Sequence, residues 1–346
     1  NLTTHAGYAQ LQAEVVPGVN INAGVRYEDA KQTVVPVDLF NTGSSVFVQT
    51  NLNNDYWLPA VTLTWEMAPD MQLRLNGSKT IARPQFRELV AQVYLDPESN
   101  RLYRGNPSLA DSELWNAELR YEWYFDRDQR FTVAGFYKSI DNPIEAYTSA
   151  SDNQVSTSYA NAPKATLYGA EIEVQKYFPL DTLSDAPFWQ SRRLVLIGNY
   201  TYTQSDIQVG EDDVTFINGV ERPADIFFFD GSPLTGQSDH LVNFQIGLED
   251  QDRLSQQTLL LTYASPRVTS RGPSGQPDLK EKPGIQLDFV ARQGINLLNK
   301  EIELKFEARN LTGRKYEEVQ TSGDNKIFFN RYKLGRTFSL SASIKF

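Results

Sequence analysis

The chain has 346 residues, a formal net charge of −10, no cysteine and two histidines, His5 and His240. The acidic balance argues against a nucleic-acid partner, because binding phosphates requires a basic surface. Without cysteine there are no disulfides or thiolate sites, and two histidines so far apart in sequence argue against a zinc site or a histidine relay. No apolar run reaches the ~20 residues of a membrane-spanning helix.

Apolar and polar residues alternate from the start of the chain. The period of two appears in "GYAQLQAEV" (7–15), continues through "PAVTLTWEM" (59–67) and "LWNAELRYEWYF" (114–125), and recurs in "EIELKFEAR" (301–309). Successive side chains of a strand point to opposite faces, so each segment has one apolar and one polar face. We count thirteen such segments, most about ten to thirteen residues long, which is enough for a tilted strand to cross a bilayer.

The connections between these segments alternate in length. Short ones are "PGVN", "APD", "DRDQ", "DQDR" and "NLLN", and long ones lie near residues 31–56, 82–112, 149–163, 206–238, 265–283 and 312–330. Transmembrane barrels of the outer membrane have this asymmetry, with short periplasmic turns and long external loops. One short-side connection, "PLDTLSDAPFWQSRR" (179–193), breaks the rule, and the sequence offers no physical reason for it. A soluble β-sandwich lectin is the alternative that strand alternation alone permits.

The last segment, "GRTFSLSASIKF" (335–346), alternates strictly and ends on an aromatic residue. We interpret it as a barrel strand whose apolar side faces lipid. Its ending is similar to the C-terminal signal by which outer-membrane barrels are recognised for assembly. The residues assigned to that signal are Gly335, Phe338, Leu340 and Phe346.

Several motifs carry a family resemblance. "SKTIARPQFREL" (78–89), "GNPSL" (105–109), "NAPKATLYGAEIEVQKYF" (161–178) and "EARNLTGRKYEE" (307–318) resemble, in this order, motifs of TonB-dependent receptors. The resemblance runs across nearly the whole chain, and its character is that of a caulobacter- and xanthomonad-like proteobacterial group whose members often take up carbohydrates.

The resemblance implies an all-β transmembrane antiparallel barrel of 22 strands, filled by an N-terminal plug domain that is preceded by a TonB box. Thirteen strands would leave unpaired edges in lipid, and bacterial barrels have an even number of strands. We therefore expect residues 1–346 to be the C-terminal part of a receptor barrel, with the plug and the first strands outside this chain. No signal peptide opens this sequence although an exported protein needs one, so we expect a processed chain or a fragment.

The resemblance further implies a receptor in the outer membrane of a Gram-negative bacterium. It would bind a scarce nutrient and import it with energy from TonB–ExbB–ExbD, without covalent chemistry or a cofactor. Other implied partners are the barrel-assembly machinery, outer-membrane lipid, lipopolysaccharide and a partner lipoprotein. We expect a carbohydrate ligand. The alternatives are a ferric siderophore, passive transport through a porin-like channel and an enzyme built on a barrel, against which the absence of a nucleophile motif argues.

The first candidate for ligand contacts is the loop "NGVERPADIFFFDGSPLTG" (218–236), where aromatic rings beside carboxylates suit sugar rings. The alternative is a loop that packs its own phenylalanines. The candidate contacts are Asp225, Phe227, Phe228, Phe229 and Asp230 in this loop, and Tyr94, Tyr103, Tyr147 and Tyr159 in others. Arg83, Arg87 and Glu88 are candidates for contact with plug or ligand, or for a purely structural loop anchor. "GEDD" (210–213) lacks the pattern of a calcium loop, and we interpret it as a solvated turn.

Overall fold

The computed structural model describes residues 1–36, 49–97, 101–151, 154–273, 275–297 and 300–344. Its described strands run in chain order as β1 (Leu2–Val16), β2 (Val19–Val34), β3 (Thr50–Ala68), β4 (Met71–Ala82), β5 (Val93–Asp96), β6 (Arg101–Arg104), β7 (Ser112–Asp126), β8 (Gln129–Asp141), β9 (Ile144–Ser151), β10 (Gln154–Asn161), β11 (Lys164–Pro179), β12 (Arg192–Gln208), β13 (Val214–Ile217), β14 (Val220–Pro223), β15 (His240–Asp250), β16 (Ser255–Ala264), β17 (Arg267–Ser270), β18 (Leu279–Glu281), β19 (Gly284–Leu297), β20 (Lys300–Arg309), β21 (Lys315–Ser322), β22 (Asn325–Lys333) and β23 (Thr337–Ile344). The described helices are α1 (Phe86–Leu89), α2 (Pro187–Gln190) and the 3-10 turns Asp181–Leu183 and Ala224–Ile226.

Thirteen long strands form one antiparallel sheet, which we call the wall sheet. Its order is β1-β2-β3-β4-β7-β8-β11-β12-β15-β16-β19-β20-β23, so each wall strand pairs with the next one along the chain. This confirms the predicted all-β antiparallel fold and the count of thirteen segments. The alternation of long and short connections is also confirmed, and it defines a long-loop end and a short-turn end of the sheet.

The two faces of the wall sheet differ in chemistry, as the alternation predicts. On one face large apolar side chains stand exposed, among them Trp115 and Leu119 of β7, which are 51% and 50% exposed. Glu118 and Arg120, on either side of Leu119, lie on the other face and bond to each other, with Arg120 Nε donating to Glu118 Oε1 over 3.1 Å. We call these the apolar face and the polar face.

A hydrogen-bonded network crosses the polar face. Thr62 donates to Asn76 and Asn76 to Glu118, over 2.7 and 3.3 Å. Arg120 then reaches Glu171 of β11, with 3.6 Å between Nη2 and Oε2. This contact passes over the intervening strand because Ala134, the register partner of both residues, has a side chain too small to block it. Opposite charges therefore lie next to each other along the polar face, which lowers the free-energy cost of placing charged side chains there.

The long loops are themselves folded, which the sequence did not predict. They contain a four-stranded sheet of order β5-β6-β10-β9, a hairpin of β13 and β14, and a second four-stranded sheet of order β17-β18-β21-β22. The clusters of buried apolar side chains also lie largely in these loops. One includes Tyr147, Phe228 and Leu234, and the other Leu89, Leu109 and Tyr159. The loops therefore form a packed layer, which we call the loop layer.

Candidate functional site

A buried arginine connects three loops of the loop layer. Arg271 is 1% exposed and donates from Nη2 to Glu145 Oε2 over 2.9 Å and from Nη1 to Asp278 Oδ2 over 3.0 Å. The Thr235 amide also donates to Glu145, over 3.1 Å. Burial raises the pKa of the Glu145 carboxyl, and the charge and hydrogen bonds of Arg271 act in the opposite direction. Since a buried charge without a partner is costly, this cluster fixes the loops relative to one another.

A second buried ion pair joins loops from distant parts of the wall sheet. Arg101 of β6 lies 2.6 Å from Glu318 of β21, measured from Nη2 to Oε2, and both side chains are buried. Arg101 also donates to Ser270 Oγ over 3.2 Å, and its guanidinium stacks 4.8 Å from the centre of the Phe329 ring. The loops that carry Arg101 and Glu318 leave the wall sheet after β4 and β20, so this pair joins loops that are far apart in the strand order.

The segment "ARPQFREL" anchors one of these loops. Arg83 pairs with Glu28 of β2 over 2.9 Å, and Glu88 accepts a bond from the Gln85 amide, which completes a capping box on α1. Burial raises the pKa of Glu88. The backbone of "GNPSL" docks onto the same segment, with Gly105 N donating to Val90 O over 2.9 Å. These contacts account for Arg83 and Glu88 structurally and leave Arg87 exposed.

Three tyrosines predicted separately from the sequence are stacked in the structure. The rings of Tyr94 and Tyr103 are nearly parallel with centres 5.6 Å apart, and those of Tyr103 and Tyr159 are 6.3 Å apart. Together with Arg87 and Asp96 they line a cleft of about 320 Å³. We call it the tyrosine cleft. Strand pairing creates it, because β5 pairs with β6 and β6 pairs in parallel with β10, so that each strand contributes one ring.

The charge state of the tyrosine cleft follows from its burial. Burial raises the pKa of both Tyr94 and Tyr159 above the ordinary value for tyrosine, so both are neutral phenols at physiological pH. In the part of the chain that the structure describes, Arg87 makes no ion pair, and its guanidinium is the cleft's cationic group. The cleft therefore offers three aromatic faces, neutral hydroxyls, the Asp96 carboxylate and one exposed arginine that can pair with a ligand.

The aromatic loop at 218–236 has some side chains that are buried and others that are exposed. Phe228 is completely buried in the first apolar cluster, and Phe227 packs edge-on against buried Tyr147, with ring centres 4.9 Å apart. Phe229 is 42% exposed. Asp225 and Asp230 are also exposed, and Asp230 accepts a bond from the Val209 amide over 3.1 Å. The alternative of a loop that packs its own phenylalanines thus applies to Phe228. Phe229 and the two carboxylates remain accessible.

Other residues singled out in the sequence lie outside the tyrosine cleft and the aromatic loop. Phe338 and Leu340 are exposed at 62% and 77% on β23, and Gly335 has a positive φ of 76° that favours glycine. Phe346 lies outside the described residues.

In "GEDD", Asp213 accepts a bond from the Gly210 amide over 2.7 Å and so caps its own turn. The described residues contain no group of three or more acidic or histidine side chains suited to a metal ion. They also contain no helix long and apolar enough to cross a membrane.

Comparison with known protein families identifies the family of this chain. A family model described as "TonB dependent receptor-like, beta-barrel" matches residues 1–311. The chain belongs to this family. No curated protein matches the receptor chain in sequence.

Solved structures of similar fold include proteins described as receptors of iron carriers. A mutant of the ferric enterobactin receptor PfeA of Pseudomonas aeruginosa matches at a TM-score of 0.59 and 16% identity. The siderophore receptor PirA of Acinetobacter baumannii matches at 0.58 and 14%, and the ferric-catecholate import receptor Fiu of E. coli K12 at 0.60 and 18%. Each match covers 99% of this receptor chain and 44% or 45% of the other. The receptor chain thus spans less than half the length of these structures, and at these identities the likeness is one of fold.

Sequence reasoning missed the residues that organise the loop layer of this receptor chain. It did not single out Arg101, Glu145, Arg271 or Glu318, which the structure joins into buried ion pairs. Charged residues in loops are ordinarily solvated, so nothing in the local sequence marks these four as buried. The available signal was weaker: each lies in or directly after a short stretch of alternating residues inside a long loop, which the structure shows as β6, β9, β17 and β21.

Proposed function

We propose that this chain forms part of the barrel wall and of the external ligand-binding face of a TonB-energised receptor. The receptor lies in the outer membrane of a Gram-negative bacterium, binds a scarce nutrient at the loop layer and imports it to the periplasm. Family membership supports the receptor class, and the unequal connections support an orientation with the loop layer outside. The chain supplies binding and a gated path, and its chemistry is recognition without covalent steps.

The proposal for the ligand rests on the residues of the tyrosine cleft. An exposed arginine beside three stacked rings suits an anionic ligand that bears flat rings or several hydroxyls. A ferric siderophore with catecholate or carboxylate groups has this chemistry, and the similar structures are described as receptors of such carriers. Because Tyr94 and Tyr159 are neutral phenols, they contact the ligand by stacking and hydrogen bonding and leave the iron in its own chelate.

A carbohydrate is the second candidate, and a different site favours it. Exposed Phe229 is flanked by the exposed carboxylates Asp225 and Asp230. An aromatic face beside hydrogen-bond acceptors matches the apolar and hydroxyl-bearing sides of a sugar ring. The two candidate ligands therefore depend on different residues, and single substitutions separate them.

The experiment is growth of a deletion strain that carries the full receptor gene with single substitutions. Under iron limitation with ferric siderophores of defined class, Arg87→Ala is expected to lower uptake about tenfold or more, as loss of a charged hydrogen bond does. Arg87→Lys keeps the charge and should retain part of the uptake, and Arg127→Ala, on the opposite end of the sheet, should change nothing. Normal iron acquisition by Arg87→Ala, together with loss of growth of Phe229→Ala on one sugar, would establish the carbohydrate instead. Uptake that persists without inner-membrane energy would contradict the receptor class and indicate a passive channel.

A further inference from the structure

The connection between β11 and β12 is a folded segment at the short-turn end. Residues 180–191 contain the 3-10 turn Asp181–Leu183 and α2, whereas the turns at 17–18 and 127–128 have two residues each. The Gln190 side chain holds the two helical pieces together, since its Nε2 donates to Asp181 O over 3.2 Å and to Ser184 O over 2.9 Å. Leu180 N also donates to Arg192 O over 2.9 Å, which attaches the segment to the strand. We call residues 180–191 the foot.

The foot folds toward the apolar face of the wall sheet. Arg192 lies on the same face of β12 as Leu194 and Leu196, because alternate residues of a strand share a face. Leu194 is the register partner of Phe178 and of Leu248. The ring of Phe188 in the foot lies 4.3 Å from the Arg192 guanidinium. This contact places the apolar side chains of α2 beside the strand face that carries the leucines.

The foot covers a charged pair that would otherwise meet lipid. Arg192 lies 3.8 Å from Asp250 across the β12–β15 pairing, and their side chains are 7% and 0% exposed. Arg192 also donates to Ser255 Oγ over 3.3 Å, and the Ser191 backbone oxygen accepts a bond from Gln251 over 2.8 Å. An ion pair at the edge of a hydrocarbon layer is costly unless it is covered and hydrogen-bonded. Phe188 of the foot supplies the cover, and Ser255 and Arg253 supply hydrogen bonds, with 2.9 Å between Arg253 Nε and Asp250 Oδ2.

The foot exposes large apolar side chains. Leu183 is 65% exposed and Phe188 is 46% exposed, and Trp189 packs edge-on against Phe188 with ring centres 4.9 Å apart. A tryptophan, a phenylalanine and a leucine on one small surface are the side chains that anchor a segment at a membrane–water boundary.

The apolar surface of the foot continues into an aromatic belt on the neighbouring strands. Trp123 and Phe125 are in contact at the end of β7, with ring centres 5.2 Å apart. The Lys176 ammonium lies 4.7 Å from the Phe125 ring centre and 5.4 Å from that of Phe178. A lysine among aromatic rings is the arrangement by which a long cationic side chain reaches the headgroup level. Tyr177 is not part of this belt, because it lies on the polar face, where the Arg193 guanidinium is 4.0 Å from its ring centre.

We infer that the foot is a membrane-interface anchor that rests on the phospholipid leaflet at the short-turn end, the periplasmic leaflet in the orientation proposed above. Leu183, Phe188 and Trp189 enter the boundary between headgroups and acyl chains. The charged residues of the foot are Asp181 and Asp185, both exposed acids. They disfavour an anionic surface and suit the ammonium group of a zwitterionic phospholipid such as phosphatidylethanolamine. The inference rests on the proposed location in the outer membrane.

The test uses the absence of cysteine from this chain. Single cysteines are placed in the full receptor, with any cysteine elsewhere replaced, at Phe188, at Leu183 and at the acidic control position Asp185. Leu119→Cys on the apolar face and Ser341→Cys on the polar face serve as references. Each variant is spin-labelled and reconstituted in vesicles of phosphatidylethanolamine and phosphatidylcholine, and collision rates with oxygen and with a water-soluble nickel chelate are measured.

Positions 188 and 183 are expected to collide with the nickel chelate several-fold less often than position 185, and with oxygen at a rate between those of 185 and 119. Collision rates at 188 equal to those at 185 would place the foot in water and overturn the anchor. Low rates with both reagents at 188 would mean that a protein covers the foot, which also overturns it. If Leu119→Cys itself behaves as water-exposed, the proposed membrane location fails, and that result differs from the first two. Phe188→Leu, which keeps an apolar cover, is the check on folding.

Discussion

Arg101 and Glu318 are separated by most of the wall sheet along the strand order, yet their guanidinium and carboxylate are 2.6 Å apart. Their loops leave the sheet beside β7 and β20, seven strand spacings apart in the order β7-β8-β11-β12-β15-β16-β19-β20. At about 4.8 Å per spacing this corresponds to roughly 34 Å along the sheet. A sheet that curves, as in the wall of a barrel, shortens the distance that the two loops have to span to make this contact.

We expect Arg101 and Glu318 to be energetically coupled. Arg101→Met or Glu318→Gln alone leaves a buried polar group without its partner and should cost about 3–5 kcal/mol of local stability. The double variant should cost less than the sum of the two, because it removes both charges. Hydrogen exchange of the β18 and β21 amides measures the effect. Additive single and double effects would show that the two side chains do not interact.

A related prediction concerns Glu145. Glu145→Gln removes the charge that Arg271 meets at 2.9 Å and should loosen the loops around residues 233–235 and 267–281. The expected cost is again about 3–5 kcal/mol of local stability, because an arginine that is 1% exposed loses its main partner. Limited proteolysis of the folded receptor should show new cleavage in these loops. Glu221→Gln, at an exposed acid on β14, is the matched control and should leave the cleavage pattern unchanged.

Gly105 should tolerate no side chain. A Cβ there would lie 2.4 Å from Val90 O and 2.7 Å from Glu88 O, both backbone atoms that cannot move without opening the "ARPQFREL" anchor. We expect Gly105→Ala to lower the unfolding temperature of the loop layer and to enlarge the tyrosine cleft, since Val90 precedes β5. Gly7→Ala is the control, because its Cβ would meet nothing within 4 Å. Equal stability of both variants, measured by hydrogen exchange in β5 and β6, would contradict the docking of Gly105 on Val90.

The tyrosine cleft predicts a specific pH response. Burial raises the pKa of Tyr94 and Tyr159 above the ordinary value of 10.0, so the folded state holds these protons more strongly than the unfolded state. Their contribution to stability is therefore fully present below pH 10.0 and is lost as the pH rises through their folded-state values. Ligand binding in the full receptor should not vary with tyrosine ionisation between about pH 6 and 9. A titration of binding near neutral pH that disappears in Tyr94→Phe would show a phenolate in the cleft.

The sequence by itself determined the wall sheet. Alternation in a strand is a local property of period two, and connection length is read directly from the chain, so the thirteen strands, their order and the two ends of the sheet all followed from it. The sequence also indicated Tyr94, Tyr103 and Tyr159 as separate candidates, because a tyrosine in a long loop can be identified without knowing its spatial neighbours.

Only the tertiary structure decided which loop residues meet. The stacking of the three tyrosines depends on the parallel pairing of β10 with β6, and the burial of Phe228 depends on a cluster shared by several loops. The charged pairs Arg101–Glu318 and Arg271–Glu145 likewise join segments that are distant in sequence. The energy of such contacts lies in burial and in partners from other parts of the chain, and neither is encoded in the residues adjacent to each side chain. The sequence likewise gives no reason for the long connection at 180–191, because the contact of Phe188 with Arg192 exists only in the folded chain.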